Sequence, residues 1–177
     1  MRSRRLIFTS IPVFRPSSGS RRFPTEVSKL YNQVTTRKLV ASDLDDIVDI
    51  DERAEGERRA AFWEGKVIIQ EGSRPPWTAW VAEYDGTVVG FLFGHYEELE
   101  FGLPGGTVWI DILGVDPAYR HKKVGSAMIE SFVEAAEDMG MKRVFTLVRR
   151  EQQPDLEQFF LRQGMEMDKM VHFGRDL

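Results

Sequence analysis

Cysteine is absent from the 177 residues, which excludes disulfide staples, thiolate nucleophiles and every zinc site built on sulfur. Any catalysis must use other groups, and a reducing compartment is compatible with the composition. No apolar run approaches the roughly 18 residues that span a bilayer, so a soluble protein without a membrane partner is expected. Internal repeats are absent as well. What remains is an ordinary folded composition, 42% hydrophobic and 29% charged, in a chain long enough for one domain with a real core.

The net charge of −4 hides an asymmetry. Residues 1–34 hold seven Arg or Lys against Glu26 alone, so they carry +6 and the remainder carries −10. The opening stretch is rich in Arg, Ser and Pro and has no alternating or heptad pattern. It reads as a disordered extension or misplaced start, as an organelle transit peptide, or as a secretory signal. The last is disfavoured because the apolar patch Leu6 to Phe14 is broken by Thr9, Ser10 and Pro12, with no small-residue cleavage site after it. Residues 1–33 are therefore set apart as a basic extension, 34–177 as the folded domain, and the location as cytoplasmic with an organelle left open.

From Thr35 the pattern can be followed. Thr36 to Val40 reads as a strand, and Ser42 with Asp45 three residues on reads as the start of a helix with Leu44, Ile47, Val48 and Ala54 on its apolar face. A second helix is expected over Arg58 to Gln70. Ala79 to Glu83 and Thr87 to Gly94 flank Asp85-Gly86, whose positive φ angles suit a tight hairpin. Thr107 to Val115 is apolar enough for a central strand buried on both faces, interrupted only by Asp111. A long helix from Val124 to Met139 places Met128, Ile129, Phe132, Val133 and Ala136 together. Val144 to Val148 reads as a strand, Pro154 to Gly164 as a helix, and Met165 to Phe173 as a last strand.

One segment asks for more than packing. After the strand ends at Val115, Pro117 starts a turn, and the basic loop Arg120-His121-Lys122-Lys123 opens a helix containing Gly125 and Ser126. The first turn of a helix leaves N–H groups unpaired and partially positive, and successive loop amides can form a concavity for phosphate oxygens. Four basic or potentially basic side chains in an acidic body mark an anion site; a solvated helix cap with a charge run is the alternative.

Leu113-x-Val115-x-Pro117 followed by Arg120-x-x-x-x-Gly125-Ser126-Ala127 resembles the GNAT superfamily of acyl-CoA-dependent N-acyltransferases, whose loop reads Arg/Gln-x-x-Gly-x-Gly/Ala. The order of elements from Thr35 to Leu177 is similar too. The resemblance implies an α/β (α+β) fold, with a mixed, mostly antiparallel central sheet flanked by helices and splayed at the acyl-CoA site. It implies acetyl-CoA as co-substrate, with no metal. It assigns the coenzyme pyrophosphate to the amides of His121, Lys122, Lys123, Val124, Gly125 and Ser126, with Arg120 opening the loop. It pairs the pantetheine arm with the backbone of Leu113, Gly114 and Val115. The departure is Lys123, which stands where the family has its first glycine.

Acyl transfer to an amine needs a neutral amine, a polarised thioester oxygen and a proton for the leaving thiolate. The resemblance gives polarisation to the backbone N–H of Leu113. Asp111, the one ionisable residue in an apolar strand, is the candidate base: alternation puts it on the Leu113 face, and burial would raise its pKa. A structural carboxylate bonded to a neighbouring loop is the alternative. Glu97, Glu98 and Glu100 are rival bases or amine-recognition residues, or simply a solvated hairpin end. The family's frequent proton donor is the Tyr of Phe-Tyr-x-x-x-Gly-Phe; here the segment reads Phe159-Phe160-Leu-Arg-Gln-Gly164-Met165, and Phe160 donates no proton. His95 and His172 read as strand residues rather than catalysts. Trp80 and Trp109 read as core, with Trp63 and Trp77 left open.

Asp43 to Glu57 carries eight acids against Arg53, either an acidic lip that favours a cationic amine acceptor or a solvated helix face. An N-acetyltransferase acting on a small or peptidic primary amine is the leading expectation. A weak acyl-CoA-binding module of the same fold is the second. A nucleic-acid partner is disfavoured by the acidic body, and a homodimer is left open.

Overall fold

The computed structural model describes residues 33–72, 78–97, 106–148 and 154–167. Five strands form one sheet in the order β1-β2-β3-β4-β5: β1 (Val34–Lys38), β2 (Ala79–Tyr84), β3 (Thr87–Glu97), β4 (Thr107–Val115) and β5 (Arg143–Thr146). The first four pair antiparallel and β5 joins β4 in parallel. Helices α1 (Leu44–Glu55) and α2 (Ala60–Gly72) lie between β1 and β2, α3 (Val124–Asp138) between β4 and β5, and α4 (Pro154–Arg162) follows. The mixed, mostly antiparallel sheet with flanking helices is the expected architecture.

Two apolar layers follow from strand alternation. Leu92, Val108 and Ile110 on one face of the sheet pack with Met128, Ile129 and Phe132 of α3 and Phe160 of α4. Phe91 and Phe93 on the other face pack with Ile47, Val48 and Ile50 of α1 and Trp63 and Val67 of α2. Each such side chain, fully removed from water, contributes roughly 1.5–3 kcal/mol. Gly90 lets α3 settle close on the sheet: a β-carbon there would lie 2.9 Å from both Val124 and Met128.

The start of α1 is fastened differently from the expected Ser42 cap. Asp43, in the 3-10 turn before α1, accepts the Val40 amide at 2.9 Å and a two-pronged contact from Arg37, whose Nε also donates to Glu83. Asp43 is the more suitable residue because a carboxylate accepts from several donors at once. Its pKa is pushed upward by burial, but the Arg37 guanidinium and the Val40 amide outweigh this and hold it below the ordinary carboxylate value. Arg37 is correspondingly raised, chiefly by its hydrogen bond to Asp43.

Two expectations are corrected. β4 is buried on both faces only from Thr107 to Ile110; Asp111 is exposed and residues 112–115 are half-buried, because β5 covers only the first half of the strand. Met165–Met167 are not a strand, and the remainder of the expected strand to Phe173, with His172, lies outside the described residues. So does the basic extension apart from Gln33, which accepts from the Tyr84 hydroxyl at 2.6 Å.

Candidate functional site

The sheet forks between β4 and β5. The two strands pair from Thr107 opposite Arg143 to Ile110 opposite Thr146, and at the last rung Thr146 Oγ1 donates to the Ile110 carbonyl at 3.0 Å. Beyond that rung, β4 continues through Leu113, Gly114 and Val115 with no described strand along this edge. Backbone groups on an open edge are available to an extended partner.

A bulge sits at the fork. Gly94 pairs with Ile110 and Phe93 with Ile112, leaving Asp111 as an extra residue on β4. An extra residue breaks the period of two, bends the strand and re-aims side chains. Ile112 therefore packs with the α1–α2 layer and Leu113 with the α3 layer. This overturns the expectation for Asp111: it is neither buried nor on the Leu113 face. Its carboxylate instead meets His95 of β3, with Nδ1 to Oδ1 at 2.8 Å.

Past Val115, Asp116 fastens the chain. It is buried, accepts the Ala118 amide, and forms an ion pair with Arg53 of α1 at 2.9 Å. The loop that follows alternates the sign of φ, +63° at His121 and +69° at Lys123 with Lys122 between them. Such alternation turns consecutive N–H groups to one side and makes a nest for anions. The Lys123 carbonyl accepts the Ala127 amide, so the N–H groups of Val124, Gly125 and Ser126 have no partner within α3.

The side chains of the basic loop do not behave alike. Arg120, His121 and Lys123 are exposed and among the described residues make no ion pair. Lys122 instead places its ammonium 4.5 Å from the Tyr119 ring centroid and 5.3 Å from that of Tyr84, an attraction between cation and ring quadrupole. Gly125 lies half-buried, and a β-carbon there would point at Phe159 Cζ, 3.2 Å away. The nest, the free N–H groups and the unpaired charges of Arg120 and Lys123 fit a diphosphate, and the exposed side chain of Lys123 does not fill the loop.

Other expected residues fall apart. Phe160 is a core residue, 6% exposed, and lies on the α3 side of the sheet. Glu97 ends β3, while Glu98, Glu100 and Trp77 lie outside the described residues. Trp63 is core: it packs on Phe91 and Phe93 and donates from Nε1 to Asp51 at 2.7 Å. Trp109 is buried as expected, whereas Trp80 is half-buried. Of the eight acids on the α1 segment, Asp43, Asp49, Asp51 and Glu52 are paired with arginines, so half of the acidic lip is neutralised within the fold. His95, which reads from the sequence as a plain strand residue, finds its partner 16 residues away on another strand. No local motif signals that pairing.

Known proteins share this fold. The acetyltransferase (GNAT) family model matches residues 43–165. Among solved structures, an aminoglycoside N-acetyltransferase AAC(6')-Iy in complex with CoA superposes with a TM-score of 0.69 at 14% identity, covering 81% of this chain and 94% of that one. An aminoglycoside acetyltransferase from an uncultured soil metagenomic sample, in complex with sisomicin, gives 0.62 at 17% identity, covering 84% and 99%. The ribosomal-protein-S18-alanine N-acetyltransferase from Escherichia coli gives 0.58 at 18%, covering 73% and 76%. No curated protein matches the sequence significantly. The matched family model spans most of the chain and the fold agrees with it, so the chain belongs to the GNAT acetyltransferase family.

Proposed function

We propose that this protein transfers an acetyl group from acetyl-CoA to a primary amine, on a small molecule or a peptide, by direct attack of the amine. The observation that carries this reading is the fork at Ile110 and Thr146, which leaves β4 open immediately before a cationic nest at the start of a helix. Acetyl-CoA supplies an acyl group already activated as a thioester. The amides of residues 121–126 would hold its pyrophosphate, with charge from Arg120 and Lys123; Lys122 contributes its amide, because its ammonium is engaged by two tyrosines. The open edge of Leu113 to Val115 would receive the pantetheine arm, and the Leu113 N–H would donate to the thioester oxygen as charge develops there. With Phe160 in the core, water protonates the departing thiolate.

The acceptor class is a cationic amine. Asp45, Asp46, Glu55 and Glu57 stay exposed on the α1 segment after the arginine pairs are counted, and structural neighbours act on aminoglycosides and on a ribosomal-protein alanine. The test is calorimetric titration with acetyl-CoA, followed by thiol release in the presence of kanamycin, spermidine and a peptide with N-terminal alanine. Saturable coenzyme binding with amine-dependent thiol release is expected. Failure to bind acetyl-CoA overturns the reading. Binding without thiol release from any amine selects the coenzyme-binding module, the alternative that the burial of Phe160 favours.

A further inference from the structure

We propose that His95 is the base that takes the proton from the acceptor ammonium, with Asp111 as the residue that positions it; this rests on the acetyltransferase reading above. The two residues meet diagonally across the β3–β4 pair, beside the bulge: His95 stands opposite Trp109, and Asp111 lies two residues further along β4. Asp111 has no partner on β3; Val108 and Ile110 pack with the α3 layer, so alternation along β4 puts Asp111 on the α1–α2 side of the sheet. Phe93 packs on that side, and His95, two residues further along β3, shares it by alternation. The bulge shifts the phase of the residues after Asp111, so Leu113 faces the α3 layer instead of joining Asp111 on this side.

The hydrogen bond fixes which nitrogen is free. A carboxylate only accepts, so Nδ1 of His95 carries the hydrogen donated to Asp111 Oδ1 at 2.8 Å, and Nε2 presents its lone pair outward. The ring is further restrained by Trp109, whose plane lies within 7° of the imidazole plane at a centroid separation of 6.4 Å. Two constraints on one ring orient it more than either does alone.

Stability does not account for the arrangement. The His95 side chain is 45% exposed and that of Asp111 31%, and exposed ion pairs contribute little to folding. Position accounts for it better. Asp111 directly follows the last rung of the fork, and Leu113 is two residues further, about 7 Å along an extended strand. An amine attacking a carbonyl held at the Leu113 N–H arrives beside this pair. An imidazole also suits proton abstraction near neutral pH better than a solvated carboxylate.

The step balances as follows. The acceptor ammonium gives one proton to His95 Nε2, and the neutral amine forms a C–N bond to the acetyl carbon as the C–S bond breaks. Loss of the second N–H proton to solvent leaves the amide, and the imidazolium returns its proton through water to the thiolate. Asp111 stabilises the imidazolium without changing its own protonation.

The test uses the full chain. Long-range proton–nitrogen NMR of the 15N-histidine protein is expected to show His95 as the Nδ1–H tautomer, shifting toward Nε2–H in Asp111→Ala. With acetyl-CoA and the best amine of kanamycin, spermidine and an N-terminal-alanine peptide, His95→Ala is expected to lower kcat about 10²- to 10⁴-fold. Its KM for acetyl-CoA stays unchanged, and added imidazole restores part of the rate. His95→Gln, which keeps volume and polarity without a base, is expected to be equally impaired. Asp111→Ala lowers kcat less, and Asp111→Glu recovers part of that loss. An Nε2–H tautomer in the wild type, or full kcat in either His95 variant, overturns the proton role alone. A wild-type protein that releases no thiol with any amine overturns the acetyltransferase reading, and this proposal with it.

Discussion

Phe91 and Gly114 stand directly opposite each other in the β3–β4 register, and the phenyl ring lies over the glycine so closely that a β-carbon would overlap it. The contact seats the open half of β4 against the α1–α2 core, where Phe91 is 2% exposed. Gly114→Ala should destabilise the fold by about 1–3 kcal/mol through overpacking. Gly65, in the interior of α2 with nothing within 4 Å of its missing β-carbon, is the contrast: Gly65→Ala should stabilise by about 0.5–1 kcal/mol. Urea unfolding of the two variants checks both signs.

Lys123 holds a left-handed conformation, φ +69°, just before α3, where a non-glycine residue is strained by about 1–2 kcal/mol. Lys123→Gly should relieve part of this and raise the melting temperature. Because the proposed site takes charge from this exposed ammonium, acetyl-CoA affinity measured by calorimetry should fall about tenfold even as the melting temperature rises. Unchanged affinity would remove Lys123 from the pyrophosphate site.

A larger residue at Gly125 meets α4 before it meets the loop, because its β-carbon points at Phe159. Gly125→Leu should lower stability, and Phe159→Leu in the same chain should recover much of it. Coenzyme affinity that follows stability through this pair identifies Gly125 as a packing residue. Affinity that stays low after stability returns places bulk at this position in the binding loop.

Acid should weaken the α1–α2 region. Asp43 and Asp51 are each pushed upward by burial but brought below the ordinary carboxylate value by Arg37 in one case and by Arg59 and Trp63 in the other. A depressed carboxyl contributes stability that is fully present above the unfolded value, 3.8, and is lost as pH falls from there through the lower native value. The melting temperature should therefore decline below about pH 4 more steeply in the wild type than in Asp43→Asn. Asp46 has the opposite sign: burial first, then the charges of Asp43, Asp49 and Asp45, raise it. Asp46→Asn should therefore be slightly more stable than the wild type at neutral pH, with the gain vanishing in acid.

The elements were readable where local chemistry decides them. The Asp85-Gly86 turn, the apolar stripe Met128-Ile129-Phe132-Ala136 and the basic loop into α3 all lie where period, turn residues and charge place them. Each depends on neighbours within a few positions, which a single sequence displays. The resemblance to the acetyltransferase family likewise rested on a contiguous motif, and the family model covers it.

Other features escaped because they are set by partners far along the chain. The bulge at Asp111 depends on how β4 registers against β3, and one extra residue is enough to undo an argument from alternation. The burial of Phe160 depends on how α4 lies on the sheet, and the incomplete burial of the residues after Ile110 depends on where β5 leaves β4. The sequence alone therefore determined the order of the elements and the loop beside the fork, since these follow from short-range periodicity and backbone chemistry. Only the tertiary structure decided that Asp111 meets His95, because a contact across two strands arises from register, and register is fixed by the packing of the whole sheet.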